Sequence, residues 1–395
     1  MTAPTTLPAL PQRTLRRGDL ASLVELLQHQ HAHKADLVVP MSRIHFEHGE
    51  LILDGFEPHI DEKGVTEVNG AFRMTGLADA QLGNVLDIPT KYVRKLRGQH
   101  VELLDTNFNE LAIMADPNKK VLVRTLYGAD PLYPDTNGIV RAVLSDKYGI
   151  RDNLDTVLAL LEGMRAAGLN ESHIRSCDLT DDRLYLRVTA REYGVQAEKL
   201  LENYRSPFQG TGHGGEAAEN PKLVYAGLLV TNSETGGGAL TITPELRVLV
   251  CDNGMTINAD AMRKVHLGRK LDEGQIEWSA DTIDASNELV KQQVKDAVTS
   301  FMNVEYVART VAKLEQASAV PLEDAQGAIE AVGKKLAYSQ DEMKGILDHF
   351  IKGGQLTAGG VMHAVTSYAQ VIEDVDRSND FAATGVDAML AAARR

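Results

Sequence analysis

Cysteine is nearly absent: Cys177 and Cys251 are the two in 395 residues, and they stand far apart. That excludes a disulfide framework and a thiolate zinc site, and points to a reducing, cytoplasmic setting, a bacterial cytoplasm if the gene is phage- or plasmid-borne. Long apolar runs are missing too. None approaches the roughly 20 residues that span a bilayer, so no membrane insertion is expected. Met1 to Gln12 lacks a basic start followed by an apolar stretch and does not read as a signal peptide. Positive charge is in deficit, with 41 Lys and Arg against 55 Asp and Glu and a formal net charge of −14. Broad, nonspecific phosphate binding is thereby disfavoured, and a nucleic-acid partner would require a local basic patch. The chain also lacks a nucleophile elbow, a GxGxxG run and an HExxH helix, and no catalytic residue, metal site or cofactor is expected.

What remains is an ordinary globular composition, 43% hydrophobic, long enough for two or three domains. Asp19 reads as the N-cap of a short amphipathic helix through Gln30, carrying Leu20, Leu23, Val24, Leu26 and Leu27. Beyond Asp36 short β-prone runs take over, with a hairpin turning at His48-Gly49. Thr75 to Arg97 reads as two short helices broken at Ile88-Pro89. Lys91, Arg94, Lys95 and Arg97 make the second basic. It has the outline of a helix-turn-helix, but we read it as a packed pair with a basic solvated face.

Strands are expected at Lys119–Leu126 and Ile139–Leu144, then a helix from Asp152 to Ala167. A hairpin follows at His173–Leu179 and Arg183–Thr189, and three β runs at Leu223–Val230, Ala239–Ile242 and Leu246–Cys251. Helical periodicity then covers Ile283–Phe301, Val304–Gln316, Leu322–Leu336, Gln340–Lys352 and Gly359–Asp376. The fold class is α+β: N-terminal and central antiparallel β-sheet elements with packed helices, followed by a helical C-terminal region. Its divisions are a leader and short helix (1–35), an α+β region (36–202), a flexible Gly-rich loop (203–220), a β-rich continuation of the core (221–270) and the helical region (271–395). The last is acidic: Leu271 to Phe350 has 15 acidic residues against 7 basic, whereas Arg141 to Lys270 has 17 against 16.

Several suggestive groups read as structure. His29, His31 and His33 lack a carboxylate or Cys to complete a metal shell and read as a solvated linker. His213, within GTGHGG, sits in a flexible loop without the Lys-Ser/Thr ending of a phosphate cradle. TNSETGGG, Thr231 to Gly238, joins two strands rather than opening a helix. Cys251 has no His placed to activate it and reads as a buried strand-end residue. Asp181-Asp182 suits a turn and Glu323-Asp324 a helix start.

Two features favour nucleic acid. The run Arg263-Lys264-Val265-His266-Leu267-Gly268-Arg269-Lys270 places four permanent charges in eight residues. Arg124, Tyr127, Arg141, Lys147, Tyr148, Arg151, Arg187 and Tyr193 group around the central β elements, as stacking and backbone tracking of a single strand require.

The segments GIVRAVLSDKYGIRDNLD (Gly138–Asp155), RLYLRV (Arg183–Val188), ELRVLVCDNGM (Glu245–Met255) and GGVMHAVTSYA (Gly359–Ala369) occur in an order that resembles the phage and plasmid-like proteins of the domain-of-unknown-function 932 family. The likeness runs from the QLGNVLDIPTKYVRKL stretch to about Asp376. With its mobile-element setting, the resemblance implies a relation to single-strand annealing proteins of recombination: a non-catalytic homo-oligomer whose basic groove holds single-stranded DNA. Arg141, Lys147, Arg151, Arg247, Arg263, Lys264, Arg269 and Lys270 are then the expected phosphate contacts and Tyr148 a stacking residue. The competing expectation is a protein-binding or structural assembly factor, in which the Arg-rich motifs are internal salt-bridge partners.

Overall fold

The structure, a computed structural model, describes residues 7–57, 59–61, 64–66, 68–208, 222–249, 253–264, 274–275 and 279–394. Strand β1 (Leu15–Gly18) leads into helix α1 (Leu20–His33), whose first turn is closed by the Asp19 carboxylate accepting from the Ser22 amide at 2.8 Å. Leu23, Leu26, Leu27 and Gln30 give it one buried face. The helix continues through His29, His31 and His33, so these residues do not form the linker expected of them. His29 and His33, one turn apart, meet edge to face with 4.4 Å between ring centres.

β2 (Lys34–Pro40), β3 (His45–Glu47) and β4 (Glu50–Leu53) follow, the last two joined through His48 and Gly49, with φ of 53° and 85°. Two consecutive positive φ values are what a tight hairpin of the favoured twist requires. β5 (His59–Asp61) and β6 (Gly64–Thr66) pair with each other, and β7 (Gly70–Met74) returns to β4. Three helices come next: α2 (Gly76–Val85), α3 (Thr90–Gln99) and α4 (Val101–Met114). After β8 (Lys120–Tyr127) and β9 (Gly138–Ser145) the chain enters α5 (Asn153–Ala166).

β10 (Ile174–Leu179), β11 (Leu184–Gln196), β12 (Leu223–Asn232) and β13 (Leu240–Val248) form an antiparallel meander, with β14 (Asn253–Thr256) and β15 (Met262–Lys264) both pairing with β13. The two β runs expected on either side of Pro244 are one strand. Pro244 accepts from the Ile257 amide at 2.9 Å, so its carbonyl faces away from β12. The nitrogen of a strand residue points the same way as its carbonyl, and the missing donor therefore takes nothing from the β12 ladder. A two-residue strand, β16 (Gly274–Gln275), pairs with β2. Then come α6 (Ala280–Phe301), α7 (Val304–Ser318), α8 (Ala325–Lys335), α9 (Gln340–Gly353), α10 (Ala358–Ala369), α11 (Val375–Ala382) and α12 (Gly385–Ala392). The single helix expected over Gly359–Asp376 thus ends at Ala369, and Asp374 caps a new one by accepting from the Arg377 amide at 2.8 Å.

The strands make two seven-stranded sheets, apart from the separate β5–β6 pair. The first runs β1-β10-β11-β12-β13-β14, with β15 beside β13; the second runs β16-β2-β8-β9-β7-β4-β3. All pairings are antiparallel except β7 with β9. The α+β class and the helical C-terminal region are as expected. The buried apolar side chains gather in two large clusters. One cluster joins α1, α5 and the C-terminal helices to the first sheet; the other joins α2, α3 and α4 to the second. Among the described residues no helix is long and apolar enough to cross a membrane.

Candidate nucleic-acid interface

Arg124 lies in β8 directly opposite Asp36 in β2, and its side chain is fully buried. Its Nε and Nη2 donate to the two Asp36 oxygens at 2.7 and 3.0 Å, Nη2 also reaches Asp152 Oδ1 at 2.7 Å, and Nη1 donates to the Glu234 carbonyl at 2.7 Å. Lys34 pairs with the other Asp152 oxygen. Burial alone would raise the Asp152 carboxyl, but Arg124, then Lys34 and Arg141, outweigh it and hold the group far below the usual carboxylate range. Asp152 precedes α5 yet does not cap it, because its oxygens are taken. The Asn153 amide donates instead to Glu234 Oε1, from the β12–β13 connection.

The same glutamate accounts for Arg141, which is buried and paired with Glu234 Oε2. It is therefore not the exposed phosphate contact expected. Arg151 is likewise buried, donating to Ser286 Oγ at 2.6 Å and Asn287 Oδ1 at 3.2 Å on α6; burial lowers its pKa. Arg247 is buried beside Glu245 at 3.4 Å. Tyr148 is not a free stacking ring: its hydroxyl donates to the Ser233 carbonyl at 2.9 Å, and burial pushes its pKa up to about 12. Arg187 pairs with Asp178 at 3.4 Å and with Asn379 on α11. Among these central residues Lys147 alone is exposed as expected. Arg263 and Lys264 belong to β15; Arg269 and Lys270, with His213 and Cys251, lie outside the described residues. The groups around Arg124 thus form an ionic knot between the sheets. The cleft beside it is lined by Arg13, Arg141, Asp181, Asp182 and Glu234, a mixture of signs that does not single out an anion.

Exposed cations gather elsewhere, on α3. The α2–α3 turn explains how that helix is set. Asp87 adopts φ 58° just past the end of α2, and the Ile88 amide bonds back to the Gly83 carbonyl at 2.7 Å, with Pro89 completing the stop. A Cβ on Gly83 would lie 2.9 Å from Val93 Cγ2, so a side chain there would push the helices apart. Val93 and Leu96 form the buried face of α3. Arg97 fixes its far end, donating through Nε to Asp79 Oδ2 at 2.7 Å, through Nη2 to Asp79 Oδ1 and through Nη1 to the Gly49 carbonyl.

Lys91, Arg94 and Lys95 are left on the outer face at i, i+3 and i+4, all exposed, with Tyr92 41% exposed among them. None of the three cations has an ion-pair partner among the described residues. The nearest acids in sequence are the exposed Asp87 and Glu102. Lys119, whose Nζ donates to the Val85 carbonyl at 2.7 Å, stands at the end of α2 beside the turn. Lys120 begins β8 and Lys147 follows Ser145, the partner of Val121, so all three lysines share one end of the second sheet. The basic helix was legible in sequence; Glu234, the hub of the knot, carried no signal beyond its place in a polar hairpin.

By fold and site the chain is an α+β protein with a buried ionic junction and a cationic helical face. Comparison with protein-family models, with curated proteins and with solved structures finds no match.

Proposed function

We propose that this chain is a non-catalytic nucleic-acid-binding protein and that the outer face of α3, not the central arginines, makes the principal phosphate contacts. One observation carries the reading: in a chain of net charge −14, Lys91, Arg94 and Lys95 share one exposed helical face without ion-pair partners among the described residues. Holding three cations together without compensation costs self-repulsion, which a polyanion removes. Membership of the domain-of-unknown-function 932 family, self-association and a role in recombination belong to the same proposal. The test is binding of labelled DNA across a salt series, with the Lys91→Ala/Arg94→Ala/Lys95→Ala variant in parallel. Binding that weakens with salt, and is weaker with a shallower salt slope in the variant, supports the reading. No binding at low salt sinks it.

A specific observation favours a second reading, a protein-assembly factor: Arg141, Arg151 and Arg187 all serve as internal partners. Under that reading the protein shows no retention on DNA and a partner interaction that is insensitive to salt.

A further inference from the structure

We infer that α3 binds double-helical DNA from the major groove, as the second helix of a helix-turn-helix, in preference to single-stranded DNA. This rests on the proposed nucleic-acid reading and adds the form of the ligand. Four features of α2 and α3 carry it.

The first is rigidity. α3 is fixed at its start by the Gly83–Ile88 bond and Pro89, along its length by Val93 and Leu96, and at its end by Arg97 on Asp79 and Gly49. A face so held meets a ligand of fixed shape without a backbone ordering cost. The second is size: ten residues make a cylinder about 15 Å long and about 10–12 Å across with side chains, which matches a major groove about 12 Å wide. The third is the side chains. Lys91, Arg94 and Lys95 offer donors to phosphates and to base-edge acceptors across one helical turn, with the Tyr92 ring and hydroxyl among them. The fourth is what single strands need and this surface lacks. A strand-tracking groove presents a series of aromatic faces. Here Tyr92 is the one aromatic on α3, while Tyr148, expected to stack, bonds to Ser233.

An RNA duplex carries the same phosphate charge, but its deep, narrow major groove does not admit a helix. The experiment therefore compares the full chain on four labelled ligands of equal length: duplex DNA, the same duplex with glucosylated 5-hydroxymethylcytosine filling the major groove, single-stranded DNA and duplex RNA. Plain duplex DNA is expected to bind at least about tenfold more tightly than each of the others at moderate salt. A minor-groove ligand such as netropsin should leave that binding unchanged. The Lys91→Ala/Arg94→Ala/Lys95→Ala variant should lose the preference while keeping the wild-type melting temperature. Lys120→Ala/Lys147→Ala, which removes charge that is not on α3, should weaken binding without altering the preference among the four. Equal binding to plain and glucosylated duplex, or tighter binding to single strands, overturns the inference and leaves the nucleic-acid reading standing. No binding to any of the four overturns both.

Discussion

Arg124 and Arg94 are the same residue in opposite circumstances. Arg124, in the middle of KVLVRTLY, is sealed between two sheets with every guanidinium nitrogen donating to a named acceptor, whereas Arg94, on α3, projects outward with no ion-pair partner among the described residues. The difference lies in periodicity. A strand covered on both faces has no outward position, so a cation there must be neutralised inside, while a helix lying on one face always leaves a solvated stripe. In this chain position within an element, more than the number of cations, decides which of them are available to a partner.

That contrast can be broken most severely at the knot. Arg124→Ala leaves Asp36 and Asp152 buried without their principal cation and should destabilise the fold by about 3–5 kcal/mol in urea denaturation. Next comes the geometry of the helical pair. Gly83→Val drives a side chain into Val93 and the Ile88 carbonyl, and a loss of about 1–3 kcal/mol is expected. DNA binding should fall with it, because α3 is no longer held.

A smaller effect separates the two regions by pH. The Asp152 carboxyl is depressed in the folded state, so its contribution to stability is complete above about pH 4, and it is lost as the pH falls toward the folded-state value. The urea midpoint measured from pH 7 to pH 3 should drop less steeply in Asp152→Asn than in the wild type. An equally steep drop would place the acid sensitivity elsewhere. The mildest perturbation of the fold is the Lys91→Ala/Arg94→Ala/Lys95→Ala variant, expected to change stability by less than about 0.5 kcal/mol while reducing the salt slope of DNA binding by about three. A large stability loss would mean that these side chains hold the fold rather than a ligand.

Much of the scaffold was legible because its signals are local. Asp19, the His48-Gly49 turn and the Ile88-Pro89 break each fix backbone geometry within a few residues. The continuity of β13 through Pro244 was not legible, since it depends on which side of the strand faces β12. Nor was the break after Ala369, where helical periodicity runs on although the helix stops. At the site, Arg141 and Arg124 were expected on an open surface, yet GIVRAVLS and KVLVRTLY are near-continuous apolar runs. Such a run indicates a strand buried on both faces, and an arginine inside it should have been assigned a hidden carboxylate. The identity of that carboxylate is a long-range matter: Glu234 lies 93 residues from Arg141.

Glu234 also ties two folding events together. It sits in the hairpin connection of the first sheet, yet its oxygens serve an arginine of the second sheet and the opening amide of α5. A slip of one residue in the β12–β13 ladder would turn each side chain of a strand to the opposite face and withdraw that carboxylate. Arg141 would then be buried without its counter-charge, at a cost large enough to reject the misregistered hairpin. The ionic junction therefore favours the register of the meander in which Glu234 reaches both Arg141 and the start of α5.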